Sequence, residues 1–114
     1  MSELDRTLAA LADPTRREVV ELLKKKPRRA GELAEALEMT PPAMSRHLRV
    51  LRRSGLVEED RASDDTLEDA RVRVYRLKHE PFTALRRWLD DVETFWTREL
   101  DAFKTYAEKK KGKR

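Results

Sequence analysis

The sequence predicts a mainly α-helical domain with one small β-hairpin and a long helix near its C-terminal end. Three observations support this fold class. Apolar residues recur at helical spacing through the first 55 residues, β-branched and aromatic residues are then enriched, and helical spacing returns from Pro81. A chain of 114 residues forms one domain with a modest core. That size favours a dimer interface as a second place to bury apolar surface.

The first helix is predicted from Glu3 to Ala12. Ser2 can accept a backbone N–H as its N-cap, and Asp5 follows three residues later, as in a capping box. The apolar stripe of this helix consists of Leu4, Leu8 and Leu11.

A second helix is predicted from Pro14 to about Lys25, with Asp13 as its N-cap. Its inward side consists of Val19, Val20, Leu22 and Leu23. The basic run over residues 24–29 closes this helix, because Pro27 forbids its continuation and lysines are favoured at a helix C-terminus. Two interpretations of the run stay open, a solvated helix end and a contact with phosphate.

Residues 30–55 are predicted to form two short helices joined by a tight turn. The first, Ala30 to Glu38, buries Leu33, Ala34 and Leu37. Thr40 then caps a helix predicted from Pro41 to Ser54. The buried stripe of that helix consists of Met44, Leu48 and Leu51. Gly55 ends it, because only glycine adopts the left-handed backbone conformation there without steric cost. This is a helix-turn-helix whose second helix is the candidate reading helix.

A β-hairpin, the wing, is predicted over residues 56–77. Its strands are Leu56 to Glu59 and Val72 to Leu77. The loop between them, Asp60 to Arg71, is polar and rich in acidic residues.

A long terminal helix is predicted over residues 81–108. Its apolar positions, close to a seven-residue repeat, are Phe82, Leu85, Leu89, Val92, Trp96, Leu100, Phe103 and Ala107. Such a helix spans roughly 40 Å and cannot bury its whole face within one small domain, which favours a dimer seam. The predicted dimer interface consists of Leu4, Leu8, Leu85, Leu89, Val92, Trp96 and Leu100. The alternative is a helix that folds back over its own core and breaks near Thr94. Residues 109–114 are predicted to be a basic, disordered tail.

The positive charge is concentrated in one part of the chain. The net charge is +4, but the segment from Pro14 to Arg53 contains eleven Lys/Arg and five Asp/Glu, which gives +6 there and −2 elsewhere. A basic segment that contains the helix-turn-helix favours an anionic partner.

Several classes of function are excluded or disfavoured. The absence of cysteine excludes disulfides, thiolate metal sites and a cysteine nucleophile. The two histidines do not cluster, and the three glycines form no phosphate-binding loop, so we expect no enzyme, no metal site and no cofactor. No apolar run approaches the roughly 20 residues of a membrane span. The N-terminus lacks the order of a signal peptide, and the cytoplasm is the expected location.

The order of these elements resembles the winged helix-turn-helix repressors of the arsenical-resistance (ArsR/SmtB) family, in particular its small members without cysteines. The stretches that carry the resemblance are LADPTRREVVELL (11–23), GELAEAL (31–37), PPAMSRHLRVLRRSGLVE (41–58), VYRL (74–77) and FWTRELDAF (95–103). The resemblance implies one winged-helix domain over residues 1–108. It further implies a homodimer that binds double-stranded DNA at a two-fold operator and represses transcription.

The resemblance also assigns roles to individual residues. The base-reading positions are Pro42, Ala43, Ser45, Arg46 and His47, the phosphate contacts are Thr40 and Arg49, and the wing contacts are Arg61, Arg71 and Arg73. The chemistry of the residues agrees, because a helix that approaches the bases needs small side chains at its leading end. Arg46 can in addition pair bidentately with guanine. The alternative to a DNA contact is that these arginines are solvated charges on an exposed helix face.

The chain departs in two ways from the family that it resembles. The third helix has no cysteine and the terminal helix no histidine, so the metal sites found in that family are not expected. The acidic wing loop would be repelled by phosphate, which indicates another partner for the wing tip. An alternative function is therefore a winged-helix interaction or scaffold module that does not read bases. An inducer, either a small molecule or a protein, is also open. An apolar ligand near Trp88 and Trp96 competes with simple core or dimer packing of these rings.

Overall fold

The computed structural model describes residues 1–61 and 73–112. The elements in chain order are α1 (Glu3–Leu11), α2 (Pro14–Lys25), β1 (Arg28–Arg29), α3 (Ala30–Ala36), α4 (Pro41–Arg53), β2 (Val57–Arg61), β3 (Arg73–Leu77) and α5 (His79–Gly112). They form two compact units, Met1–Phe82 and Thr83–Arg114. The predicted class, mainly α-helical with a small β-hairpin, is confirmed.

The three predicted N-caps are present. The Ser2 hydroxyl accepts the backbone N–H of Asp5 at 3.1 Å, and the Asp5 carboxylate accepts that of Ser2 at 3.2 Å, which completes the capping box. Asp13 caps α2 through two backbone N–H groups, at 2.8 and 3.1 Å. The Thr40 hydroxyl accepts the backbone N–H of Ala43 at 3.3 Å. Each cap satisfies N–H groups that the helix itself cannot.

The core of the first unit lies between the helices and the sheet. Its buried apolar residues are Ala10, Val19, Val20, Leu23, Leu33, Ala34, Met44, Leu48, Leu51, Leu56, Val57 and Tyr75. The buried stripe predicted for α4 is confirmed in full. The α1 stripe is offset, because Thr7 and Ala10 are the buried residues of that helix, whereas Leu8 is 41% exposed. Two small side chains, Thr7 and Ala10, therefore form the inward face of α1.

The sheet has three antiparallel strands in the order β1-β3-β2. Strands β2 and β3 form the predicted hairpin, with Val57 opposite Leu77 and Asp60 opposite Val74. Strand β1 is an addition to the predicted elements, since the sequence indicates only the end of a basic run at Arg28–Arg29. Pro27 releases the chain from α2, and the two arginines pair through their backbone with β3. Residues 62–72, which include most of the acidic loop, lie outside the described residues.

The turn before α4 begins earlier in the chain than predicted. Helix α3 ends at Ala36 rather than Glu38, and Glu38 adopts a positive φ of 52°. The N–H of Met39 then donates to the carbonyl of Ala34 at 2.9 Å, which satisfies one of the last carbonyls of the helix. Gly55 ends α4 at a φ of 76°, as predicted, and Leu56 is buried behind it.

Helix α5 is one continuous helix from His79 to Gly112. It begins two residues earlier than predicted, and its helical assignment passes through Thr94, so the alternative of a break there is wrong. Residues 109–112 are helical, whereas the sequence predicts a disordered tail from residue 109. Residues 113 and 114 lie outside the described residues.

Candidate nucleic-acid interface

The leading end of α4 carries small side chains. Thr40 is the N-cap, and the helix begins with two prolines. Pro42 and Ser45 are exposed and Ala43 is half-buried. A helix end of this composition allows the backbone to approach another macromolecule closely.

Three arginines continue this surface along the outer side of α4. Arg46, Arg49 and Arg53 are exposed and recur at helical spacing, away from the buried stripe. Within residues 1–61 and 73–112, none of these three guanidinium groups makes a hydrogen bond or an ion pair. Their charges are therefore available to an external anion.

His47 lies at the edge of this surface. It is half-buried, and its charge is one of the interactions that lower the pKa of Asp13 at the start of α2. The pKa of Asp13 is lowered chiefly by the hydrogen bond from the backbone N–H of Arg16. Desolvation of the carboxyl raises the pKa, whereas the backbone N–H of Thr15 and the charges of Arg16 and His47 lower it further. The structure thus places His47 between the outer surface of α4 and the N-terminal end of α2.

Arg73, a predicted wing contact, is already paired within the chain. Its Nε lies 2.7 Å from Glu59, and Arg52 at the end of α4 forms an ion pair with the same carboxylate. The Glu59 side chain is only 12% exposed, against 48% for Arg52 and 40% for Arg73. Burial, followed by the nearby Glu59 charge, raises the pKa of Tyr75. A groove of about 200 Å³ beside this cluster is lined by Ser45, Leu48, Arg49, Arg52, Arg73 and Tyr75.

The opposite face of the hairpin carries a complementary cluster. Arg76 contacts Glu58 at 2.5 Å and Asp60 at 3.1 Å. Because side chains alternate along a strand, Glu58 and Asp60 project away from the face that Glu59 shares with Val57. Sequence reasoning missed the carboxylate of Glu59. The sequence contained one indication of it. Glu59 follows Val57 by two residues in a predicted strand, so both side chains lie on the same face.

Two further arginines of the basic segment have a local role. The Arg16 Nε donates to the Ala10 carbonyl at 2.6 Å, and an Arg17 nitrogen donates to the Leu11 carbonyl at 2.7 Å. Both therefore satisfy carbonyl groups at the end of α1, which the helix leaves without partners. Sequence reasoning missed this role as well.

The structure thus brings six predicted contact residues together at the start and along the outer side of α4. They are Thr40, Pro42, Ala43, Ser45, Arg46 and Arg49. His47 flanks them and Arg73 is held by Glu59. The side chain of Arg61 and the whole of Arg71 lie outside the described residues. Among the residues that the structure does describe, no group of histidine and acidic side chains could hold a metal ion. No helix in this part of the chain is long and apolar enough to cross a membrane.

Helix α5 exposes much of the predicted dimer seam. Leu89, Trp96 and Leu100 are 49%, 59% and 62% exposed, and Leu85 and Val92 are half-buried. Trp88, the other ring considered for a ligand, is 43% exposed, so neither tryptophan is a core residue of the single chain. From α1, Leu8 is exposed and Leu4 half-buried. A row of exposed apolar side chains of this length is typical of an interaction surface.

A helix-turn-helix followed by a β-hairpin, with exposed arginines on its second helix, is the winged helix-turn-helix arrangement that is typical of DNA-binding proteins. The sequence profile described as "Bacterial regulatory protein, arsR family" matches residues 13–59. The HTH-type transcriptional regulator Rv2034 of Mycobacterium tuberculosis is 41% identical over 99 residues, which are 87% of this chain and 83% of that protein. The chain belongs to the arsR family of bacterial regulatory proteins. It is a DNA-binding transcriptional regulator and not an enzyme, and the alternative of a scaffold that does not read DNA is not favoured.

Two solved structures show the same fold. An ArsR-like transcriptional regulator from Rhodococcus sp. RHA1 superposes with a TM-score of 0.76 at 31% identity, covering 93% of this chain and 91% of the other. A second is a winged helix-turn-helix DNA-binding domain of Mb0332 from Mycobacterium bovis, which is homodimeric. It has a TM-score of 0.61 and 26% identity, covering 85% of this chain and 83% of the other.

Proposed function

We propose that this regulator is a homodimeric repressor that reads an inverted-repeat operator with α4. The observation that carries the proposal is the outer surface of α4, where small residues lead and Arg46 and Arg49 follow without intramolecular partners among the described residues. The major groove is about 12 Å wide and admits a helix of this kind. A dimer bound there excludes other proteins from the same base pairs, which is the simplest route to repression.

Individual roles follow from reach and chemistry. Arg46 pairs bidentately with a guanine, and Ala43 lies against a thymine methyl. Thr40 and Arg49 contact phosphates, which fix the register of the helix in the groove. Pro42 and Ser45 permit the close approach, and His47 contacts a base from the flank. Arg61 and Arg71 of the wing stay predictions from the sequence.

The dimer forms through α5, and Leu4 and Leu8 of α1 stay predicted members of its interface. The exposed row from Leu89 to Leu100 supports this arrangement, and the homodimeric relative from M. bovis adds to it. A two-fold axis would place the two reading helices about 34–36 Å apart, one turn of DNA. We place the protein in the cytoplasm, because its partner is operator DNA. The inducer, a small molecule or a protein, stays a prediction.

The test is a selection from random duplexes at stated salt, followed by variants of two neighbouring arginines. The selection should return an enriched inverted repeat. Arg46→Ala should relax the preference at one position of each half-site and cost about 1–3 kcal/mol there. Arg49→Ala should weaken all duplexes alike, because phosphate contacts carry no base information.

Arg98→Ala on α5 is the charge-matched control. It should change neither the base preference nor the affinity for duplexes in general. A selection without an inverted repeat would contradict the proposal. So would an Arg46→Ala variant whose preference matches that of the unmodified protein.

A further inference from the structure

One carboxylate in the hairpin lies between two arginines next to the reading helix. Glu59 pairs with Arg52 at the end of α4 and with Arg73 at the start of β3. The cluster has two positive charges and one negative charge, so it carries +1 instead of the +2 of the arginines alone. Arg49, in contrast, lines the same groove with no partner among the described residues.

The burial of Glu59 makes this pairing stronger than an ordinary surface ion pair. Its side chain is 12% exposed, whereas exposed pairs such as Lys24–Glu21 have more than half of each side chain in water. Water screens an exposed pair and leaves it worth little, but a largely buried carboxylate depends on its counter-ions. A phosphate of DNA must therefore compete with Glu59 for each of the two guanidinium groups.

We propose that Glu59 is a specificity-determining residue that restrains sequence-independent DNA binding by holding Arg52 and Arg73. The inference rests on the proposed function of α4 as the reading helix. Sequence-independent affinity comes from phosphate contacts and grows with the number of arginines and lysines that reach them. Two arginines withheld per protomer lower that affinity, while the base-reading side chains of α4 stay free.

The second cluster of the hairpin provides a matched control. Glu58 contacts Arg76 on the other face of the sheet, and Asp60 contacts the same arginine. Glu58→Gln and Glu59→Gln each remove one negative charge from adjacent positions of the same strand. A general charge effect changes DNA binding equally in both variants, whereas the proposed effect appears only in Glu59→Gln.

The experiment measures the affinity of the full chain for a duplex of scrambled sequence between about 50 and 200 mM salt. Each phosphate contact contributes about 0.9 to the slope of log affinity against log salt, so Glu59→Gln should steepen the slope by up to about 1.8 per protomer. Glu58→Gln should leave it unchanged. Equal slopes in the two variants would overturn the inference.

Arg52→Gln tests the same idea without altering Glu59. In the wild-type background the scrambled-sequence slope should stay constant, because Arg52 is already held. In the Glu59→Gln background the same substitution should reduce the slope by about 0.9 per protomer. A reduction of that size in the wild-type background would overturn the inference, and this measurement is decisive even if Glu59→Gln does not fold.

The proposed function and this inference fail in different ways. If the wild-type protein selects no operator and binds DNA without salt dependence, the proposed function fails and the inference with it. If the wild-type protein selects an operator but the Glu58 and Glu59 variants behave alike, only the role of Glu59 is wrong.

Discussion

Trp96 offers the most direct test of the dimer through α5. The ring is 59% exposed in the single chain and lies in the middle of the apolar row. A tryptophan side chain buries up to about 250 Å², so roughly 150 Å² of each ring is available to a partner. At about 25 cal/mol per Å², burial of that area would stabilise association by roughly 3–4 kcal/mol per copy.

Two corrections reduce this figure. Alanine retains part of the contact, and interfaces return only a fraction of the area-based energy after ordering and polar desolvation. We therefore expect Trp96→Ala to cost about 1.5–2 kcal/mol per copy. A two-fold interface contains the residue twice, which gives about 3–4 kcal/mol per dimer. The dissociation constant of the dimer should rise roughly 100- to 1,000-fold.

The assay is sedimentation equilibrium over a range of protein concentrations. The wild-type protein should have twice the chain mass of 13.4 kDa at micromolar concentration, and Trp96→Ala should approach the single-chain mass in the same range. Circular dichroism should show that α5 remains helical, because alanine is a better helix former than tryptophan.

Arg98→Ala is the control on the same helix. At 3.6 residues per turn, Arg98 lies about 200° around α5 from Trp96, on the face away from the seam. This variant should associate like the wild-type protein. The reasoning would be refuted by a wild-type mass of one chain, or by a Trp96→Ala variant that dimerises as tightly as its parent.

Two predictions concern the fold itself. Gly55→Ala should destabilise the protein by about 1 kcal/mol in chemical denaturation, because φ is 76° there. Crowding is not the cause, since an added Cβ would meet the nearest side chain, Pro81, at an ordinary 3.7 Å. Asp13 has a pKa below its usual 3.8, chiefly through the Arg16 backbone N–H, so its contribution is present at neutral pH and lost as the pH falls through the acid range. Asp13→Asn keeps an acceptor without the charge, and its melting temperature should fall less between about pH 6 and about pH 3 than that of the wild-type protein.

Much of the fold follows from local chemistry in the sequence. Ser2, Asp13, Thr40 and Gly55 each mark the end of a helix, because their side chains or backbone freedom suit only that position. The buried stripe of α4 likewise follows from helical periodicity. These features depend on residues within one turn of each other, so the sequence alone was sufficient.

The errors arose where distant residues meet. Strand β1 consists of two arginines with little strand propensity, and it forms because β3 offers an edge for their backbone. The α1 stripe is offset because the packing of α2 decides which face is buried. The ion pair of Arg73 was not predicted, because its partner Glu59 comes from another strand. The pairing of β1 with β3 and of Arg73 with Glu59 depends on the register between strands. The spacing of apolar residues in the sequence does not define that register.

The hydrogen bonds and ion pairs of the basic segment, residues 14–53, limit how many of its positive side chains can contact DNA. Of its eleven Lys/Arg side chains, five are engaged locally: Arg16, Arg17 and Arg28 with carbonyls and Lys24 and Arg52 with carboxylates. All five keep their charge and still attract DNA at long range. A phosphate contact, however, requires donors that are free to turn outward. Six of the eleven side chains have no such partner within residues 1–61 and 73–112, and three of these six lie on α4. The charge count of the sequence thus describes attraction, whereas the proposed contacts with DNA use arginines that have no partner among the described residues.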